Sequence, residues 1–227
     1  MKINRKKIWS LSWPIILANI TIPLIGITDT MIMGHMPSSL YIASIALGSI
    51  IFNFLYAGLN FLRMGTTGII SQQFGKKDFN EVLLSFFRAL IIAIVIGIIF
   101  IVFKESILNL AIYVFNPSEE IKPLLKIYFF TRVVGLLAGL INMVFLGWFF
   151  GMQKTKSVML QLVCINSMNI ILSIYFCIIL KYGIFGVALG SVIGQFIGLA
   201  LSIFIFLKHY DYFNSTNIIF KNINSLS

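Results

Sequence analysis

Asp29 is the residue of this chain with the most chemical potential in the least hospitable place. It sits in ITDTMIMGH (27–35), with Ile27 behind it and Met31, Ile32 and Met33 ahead. The other acidic residues fall in connectors or near helix ends; Asp29 alone lies well inside an apolar run. A charge at the centre of a bilayer costs about 2.5–3.5 kcal/mol on insertion scales, so such groups face a cavity, a partner or water. A proton- or cation-coupled carrier uses an acid in this way. The plainer alternative is that Asp29, nearer the outer end of its helix than the middle, reaches interfacial water.

Neutral polar side chains recur in later apolar runs. Asn166, Asn169 and Ser173 are spaced by three and four, so they share one helical face. Ser191 and Gln195 are four apart in the next run. Such groups either join helices, at about 0.6 kcal/mol each, or line a hydrated ion site. Asn166 and Gln195 are the candidates for lining a cavity. Pro14, Pro23 and Gly26 share the Asp29 segment, and proline removes a backbone hydrogen bond and favours a kink. They are the candidate hinge.

These residues must be positioned by helices in a membrane. The 227 residues are 59% hydrophobic and 11% charged, against roughly half and a quarter in an ordinary globular chain. Six apolar runs can be drawn, at 8–33, 40–70, 82–102, 121–150, 158–180 and 184–207. Only helices are expected, because each run must satisfy its own backbone in hydrocarbon. The second and fourth runs exceed the ~20 residues needed to cross, which implies tilt or projection. The fold class is therefore all-α and integral to the membrane.

Polar punctuation separates the runs. MPSS (36–39) ends the first, and QQFGKKDFNE (72–81) offers Asp78 and Glu81 at capping-box spacing. NPSEE (116–120) offers Ser118 as a cap and two glutamates for a first turn. GMQKTK (151–156) and KYG (181–183) supply the last two turns, and the Asn-rich tail 209–227 is expected to be a loosely ordered cytoplasmic end.

Charge sets orientation. Lys2, Arg5, Lys6, Lys7, Lys76, Lys77, Arg88, Lys154, Lys156, Lys208 and Lys221 fall on one side, and only Lys104, Lys122, Lys126 and Lys181 on the other. The positive-inside rule then places both termini in the cytoplasm. Arg63 and Arg132 lie deeper in their runs and are expected to pack against headgroups. The net charge of +10 follows these connectors with no aromatic-interleaved stripe, so no nucleic acid is implied. MKINRKK with its long apolar continuation reads as a retained first span rather than a cleaved signal.

Cys164 and Cys177 lie too far apart on one helix to bridge, and His35 and His209 stand away from clustered ligands. No HExxH, Ser/His/Asp set or paired intramembrane carboxylates are present, which argues against an enzyme and against a cofactor.

TDTMIMGH, ALGSIIFNFLYAGLNFLRMGTTGIISQQFGKKD, FLGWFFGMQKT, NSMNIILSIYF and GVALGSVIGQF together resemble the DinF-like branch of the MATE (multidrug and toxic compound extrusion) exporters. FLRMGTTG (61–68) is the most specific of these. The resemblance runs from about Trp13 to Leu207 and implies twelve helices in two six-helix lobes, with export of cationic or amphipathic drug-like compounds against H⁺ or Na⁺ entry. Residues 1–208 would be the N-terminal lobe and 209–227 a truncated inter-lobe connector. The protein would sit in the bacterial inner membrane and need a second six-helix lobe, from another chain or a second copy. The family's cation site maps onto Asp29, Asn169, Ser173 and Ser191. It departs at Ser173, where the family has an aspartate, so coupling is expected to lean on protonation of Asp29. The missing acid and the half length leave a second expectation: a truncated, non-transporting remnant with at most a structural or interacting role.

Overall fold

The computed structural model describes residues 38–224 without interruption, with side chains to residue 209, and isolated positions between 9 and 36. Among the described residues every regular element is helical. Helix α1 spans Ser39–Gly58, α2 Phe61–Gly75, α3 Phe79–Val102, α4 Lys104–Phe115, α5 Ile121–Gly151, α6 Thr155–Ile174 and α7 Gly183–Asn224. A π-helical turn, Tyr175–Ile179, closes α6. Five elements are long and apolar enough to cross a membrane: Ser39–Gly75, Phe79–Val102, Ile121–Gly151, Thr155–Ile179 and Gly183–His209. They match the last five predicted runs to within a few residues. The chain is a multi-pass membrane protein.

Helix α5 is the axis of the bundle. Its most apolar stretch is 72% buried by protein, against 22% to 39% in the other spans, and α1, α2, α3, α4, α6 and α7 all pack on it. Glycines set how closely. A Cβ at Gly147 would lie 2.7 Å from Thr66 Cβ and 2.8 Å from the Arg63 carbonyl oxygen, and one at Gly151 2.6 Å from Ile70 Cγ2. The most family-specific stretch, 61–68, thus supplies part of the face of α2 that seats on α5, through buried Leu62 and Thr66 with Ile70 one turn on. Around this contact Phe86, Phe145, Trp148 and Phe206 stack from three helices, with ring centroids 4.7–6.1 Å apart.

The ends follow local chemistry. Ser38 Oγ accepts from the Leu40 amide at 3.2 Å and caps α1, and Asp78 Oδ1 accepts from the Glu81 amide at 3.1 Å and caps α3. Ser118 does not cap α5; only its backbone carbonyl is engaged, by the Ile121 amide, and Glu119 instead pairs with Lys122. Lys181, in the KYG turn, takes the left-handed conformation at φ 57°.

Three departures from the sequence reading stand out. The second run is two helices, interrupted at Leu59–Asn60, where the Asn60 amide bonds back to Ala57 and Arg63 Nε donates to Asn60 Oδ1 at 3.0 Å. Residues 104–115, outside the six predicted runs, form helix α4. The last helix, α7, runs past the predicted apolar end at 207 and continues to Asn224.

Candidate functional site

Three of the four expected cation-site residues meet between α6 and α7. Asn169 Nδ2 donates to Ser191 Oγ at 2.9 Å. Ser191 Oγ donates to the Val187 carbonyl one turn back at 3.3 Å, and the same carbonyl accepts from Ser173 Oγ at 3.5 Å. One backbone oxygen therefore gathers hydroxyls from both helices. The approach needs glycine: a Cβ at Gly190 would lie 2.6 Å from both the amide nitrogen and Oγ of Ser173, and one at Gly194 3.1 Å from the Asn169 amide nitrogen. The interhelical face is thus built from backbone contact as much as from side chains.

Accessibility divides the trio. Asn169 and Ser191 are half-buried, whereas Ser173 is fully buried. Ser173 is fully buried against Gly190, with a hydroxyl where the resemblance expects a carboxylate. Asp29, Pro23 and Gly26 lie outside the described residues. Pro14 is a buried helical position. Asn166 is buried on α6. No three of His, Cys, Asp and Glu come together as metal ligands among the described residues.

Gln195 belongs to a different cluster. Asn142 Nδ2, on α5, donates to the Gln195 backbone oxygen at 2.9 Å and to its Oε1 at 3.0 Å. Gln161 Nε2, on α6, donates to the Asn142 backbone oxygen and to its Oδ1 at 3.1 and 3.2 Å, and Ser202 Oγ approaches the same Oδ1 at 3.5 Å. Asn142, Gln161 and Ser202 are all nearly inaccessible. Gln161 Oε1 has no hydrogen-bond partner among the described residues. The amides of Asn142 and Gln161 escape a reading by spacing: Asn142 is the lone side-chain amide of its run, and Gln161 lies five residues before Asn166, off the three-and-four spacing of Asn166, Asn169 and Ser173.

Arg132 turns inward instead of toward headgroups. Its guanidinium lies 4.9 Å from the Phe52 ring centroid and 5.4 Å from that of Tyr128. It donates to the Tyr128 hydroxyl and, at 3.4 Å, to Ser49 Oγ. An arginine can be held at this depth because two aromatic faces and two hydroxyls replace part of its hydration.

A sequence profile of the MatE family matches residues 14–175. DNA damage-inducible protein F of Escherichia coli (strain K12) is 32% identical to the chain over 203 residues, covering 89% of the chain and 44% of that protein. The probable multidrug resistance protein NorM of Oceanobacillus iheyensis is 24% identical over 204 residues, covering 88% of the chain and 45% of that protein. The chain therefore spans less than half the length of these relatives. Among solved structures, the outward-facing conformation of a multidrug resistance MATE family transporter of the MOP superfamily matches with TM-score 0.81 at 21% identity, over 90% of this chain and 45% of that one. A crystal structure of MATE in complex with MaD3S matches with TM-score 0.82 at 20% identity, over 90% and 46%.

Proposed function

Because the chain belongs to the MatE family of membrane transporters, we propose that it is the N-terminal lobe of an ion-coupled multidrug efflux antiporter. In this reading residues 1–208 form one six-helix lobe and 209–227 lead away on the cytoplasmic side, with both termini in the cytoplasm and the lobe in a bacterial inner membrane. A second six-helix lobe, from another chain or a second copy, completes the cavity. Cationic or amphipathic drug-like compounds bind there and are exported by alternating access against H⁺ or Na⁺ entry. No covalent chemistry is involved.

The observation that carries the reading is the Asn169–Ser191 pair over the shared Val187 carbonyl. It puts polar oxygens and an amide on the α6–α7 seam, where the resemblance locates ion coupling. Asp29 supplies the charge and Asn169 the neutral acceptor. Neutral oxygens with one carboxylate hold Na⁺ weakly, so protonation of Asp29 is the favoured coupling step.

A non-transporting membrane protein of structural or interacting role is the second reading. It is favoured by Ser173, which stands where the resemblance has an acid and is closed off beneath Gly190.

Proteoliposomes holding this chain alone, or with a second MATE-like lobe, separate the two. Drug efflux driven by a pH gradient and lost in Asp29→Asn supports the antiporter. Efflux that needs Na⁺ and ignores pH would overturn the coupling step. Silence in both preparations, at verified expression and insertion, would leave the second reading.

A further inference from the structure

Helix α4 is joined to α3 through the single residue Phe103. Its 12 residues rise about 18 Å, too short for a hydrocarbon core of ~30 Å. One side packs inward through buried Leu108 and Ala111, while Leu110, Tyr113 and Val114 point outward and exposed. A short helix with an apolar, tyrosine-bearing outer face lies in the membrane interface. Whatever opens beside it opens at headgroup depth.

Beside it is a cavity of about 390 Å³ between α4 and the first turns of α5, with Glu105 and Asn109 on one wall and Lys122, Lys126 and Phe130 on the other. Lys104 and Lys126 lie 5.0 and 5.2 Å from the Phe130 ring centroid, so two ammonium groups converge on one ring. Lys122 Nζ donates to Glu119 at 2.5 Å and keeps two further protons to donate. Neither Glu105 nor Asn109 has a hydrogen-bond or ion-pair partner among the described residues.

We propose that this cavity binds the headgroup of a phospholipid from the adjoining leaflet. Lys122 and Lys126 take the phosphate, and Glu105 and Asn109 take a donor beyond it, a hydroxyl or an ammonium. Leu108 and Phe130 flank the glycerol end. The mixed lining selects against a headgroup whose cation is quaternary and has no proton to give. The three lysines near the cavity outnumber Glu105 and the Lys122-paired Glu119, so the phosphate is the anchoring group.

The test uses the full chain in mild detergent, titrated with phosphatidylglycerol, phosphatidylethanolamine or phosphatidylcholine and read by native mass spectrometry. Phosphatidylglycerol and phosphatidylethanolamine are expected to be retained about five- to tenfold over phosphatidylcholine. Lys122→Gln with Lys126→Gln weakens retention of all three lipids, phosphatidylglycerol most, while Lys154→Gln with Lys156→Gln, at the other end of the bundle, leaves it unchanged. Glu105→Gln weakens phosphatidylethanolamine more than phosphatidylglycerol, because an ammonium needs the charge. Equal retention of the three lipids by the unaltered chain overturns the proposal, as does retention of phosphatidylglycerol undiminished by the Lys122 and Lys126 changes. Displacement of bound lipid by millimolar inorganic phosphate would make this a free-anion site and overturn it too.

Discussion

Asn142 and Gln195 meet twice across the α5–α7 contact, since one amide nitrogen donates to both the backbone oxygen and Oε1 of the same glutamine. Asn142 also accepts from Gln161 with its own backbone and side-chain oxygens. A single buried residue therefore ties three helices. Asn142→Ala leaves the Gln161 and Gln195 amides short of partners and is expected to cost about 1–3 kcal/mol. That exceeds the ~0.6 kcal/mol average for one interhelical bond in a membrane. Unfolding of the detergent-solubilised protein measures it, and a loss no larger than that of Gln195→Ala would show that the network does not act as a unit.

Two glycines of α7 make opposite demands. A Cβ at Gly198 would lie 2.1 Å from Ile165 Cγ1, a side-chain atom, whereas one at Gly190 meets the backbone nitrogen of Ser173 at 2.6 Å. A rotamer change relieves the first and not the second. Gly190→Ala is expected to destabilise by about 1–3 kcal/mol as an overpacking change, and Gly198→Ala by clearly less. Thermal melts of the pair check the order.

Ser173 is confined by the same contact. Its only recorded hydrogen bond is long, so Ser173→Ala is expected to change stability by less than about 1 kcal/mol. Ser173→Asp puts a longer, charged group at a fully buried position against Gly190 and is expected to cost about 2 kcal/mol or more. A variant that gains the acid, melts like the parent and acquires Na⁺ dependence would show that α7 yields at this point.

Arg132 is held by its plane. Lysine cannot lie flat on Phe52 and Tyr128, so Arg132→Lys is expected to lose about 0.5–2 kcal/mol despite keeping its charge. Ser49 and Tyr128 remain bonded to one another at 3.1 Å and need no replacement partner. Comparing the melts of Arg132→Lys and the parent measures the ring contribution.

Much of this was legible in the residues. The five described spans follow from apolar length alone, helical spacing puts Asn169 and Ser173 on one face, and the resemblance joins Ser191 to them. Other features needed the third dimension. Hydropathy stays high through Leu59–Asn60, so a helix break there looks like continuous span. KESILNLAIYVF is too short to register as a span, and its inward Leu108 and Ala111 matter only once α5 lies beside them. Gln195 shares the Ser191 face in sequence yet bonds to Asn142, since α7 is wedged between α5 and α6 and neighbouring positions turn to different helices.

The central position of α5 has a consequence for how the protein is made. The ribosome finishes α5 before α6 and α7 exist, yet those two helices supply the partners of Asn142 and the contact of Gly135 with Val192. During that interval an amide destined for burial faces lipid or the translocation machinery, and unsatisfied polar groups in hydrocarbon cost several kcal/mol. A nascent chain arrested just after Gly151 is accordingly a poor membrane guest, to be retained by insertion factors or degraded. Once α6 and α7 are made, the partners of Asn142 are in place.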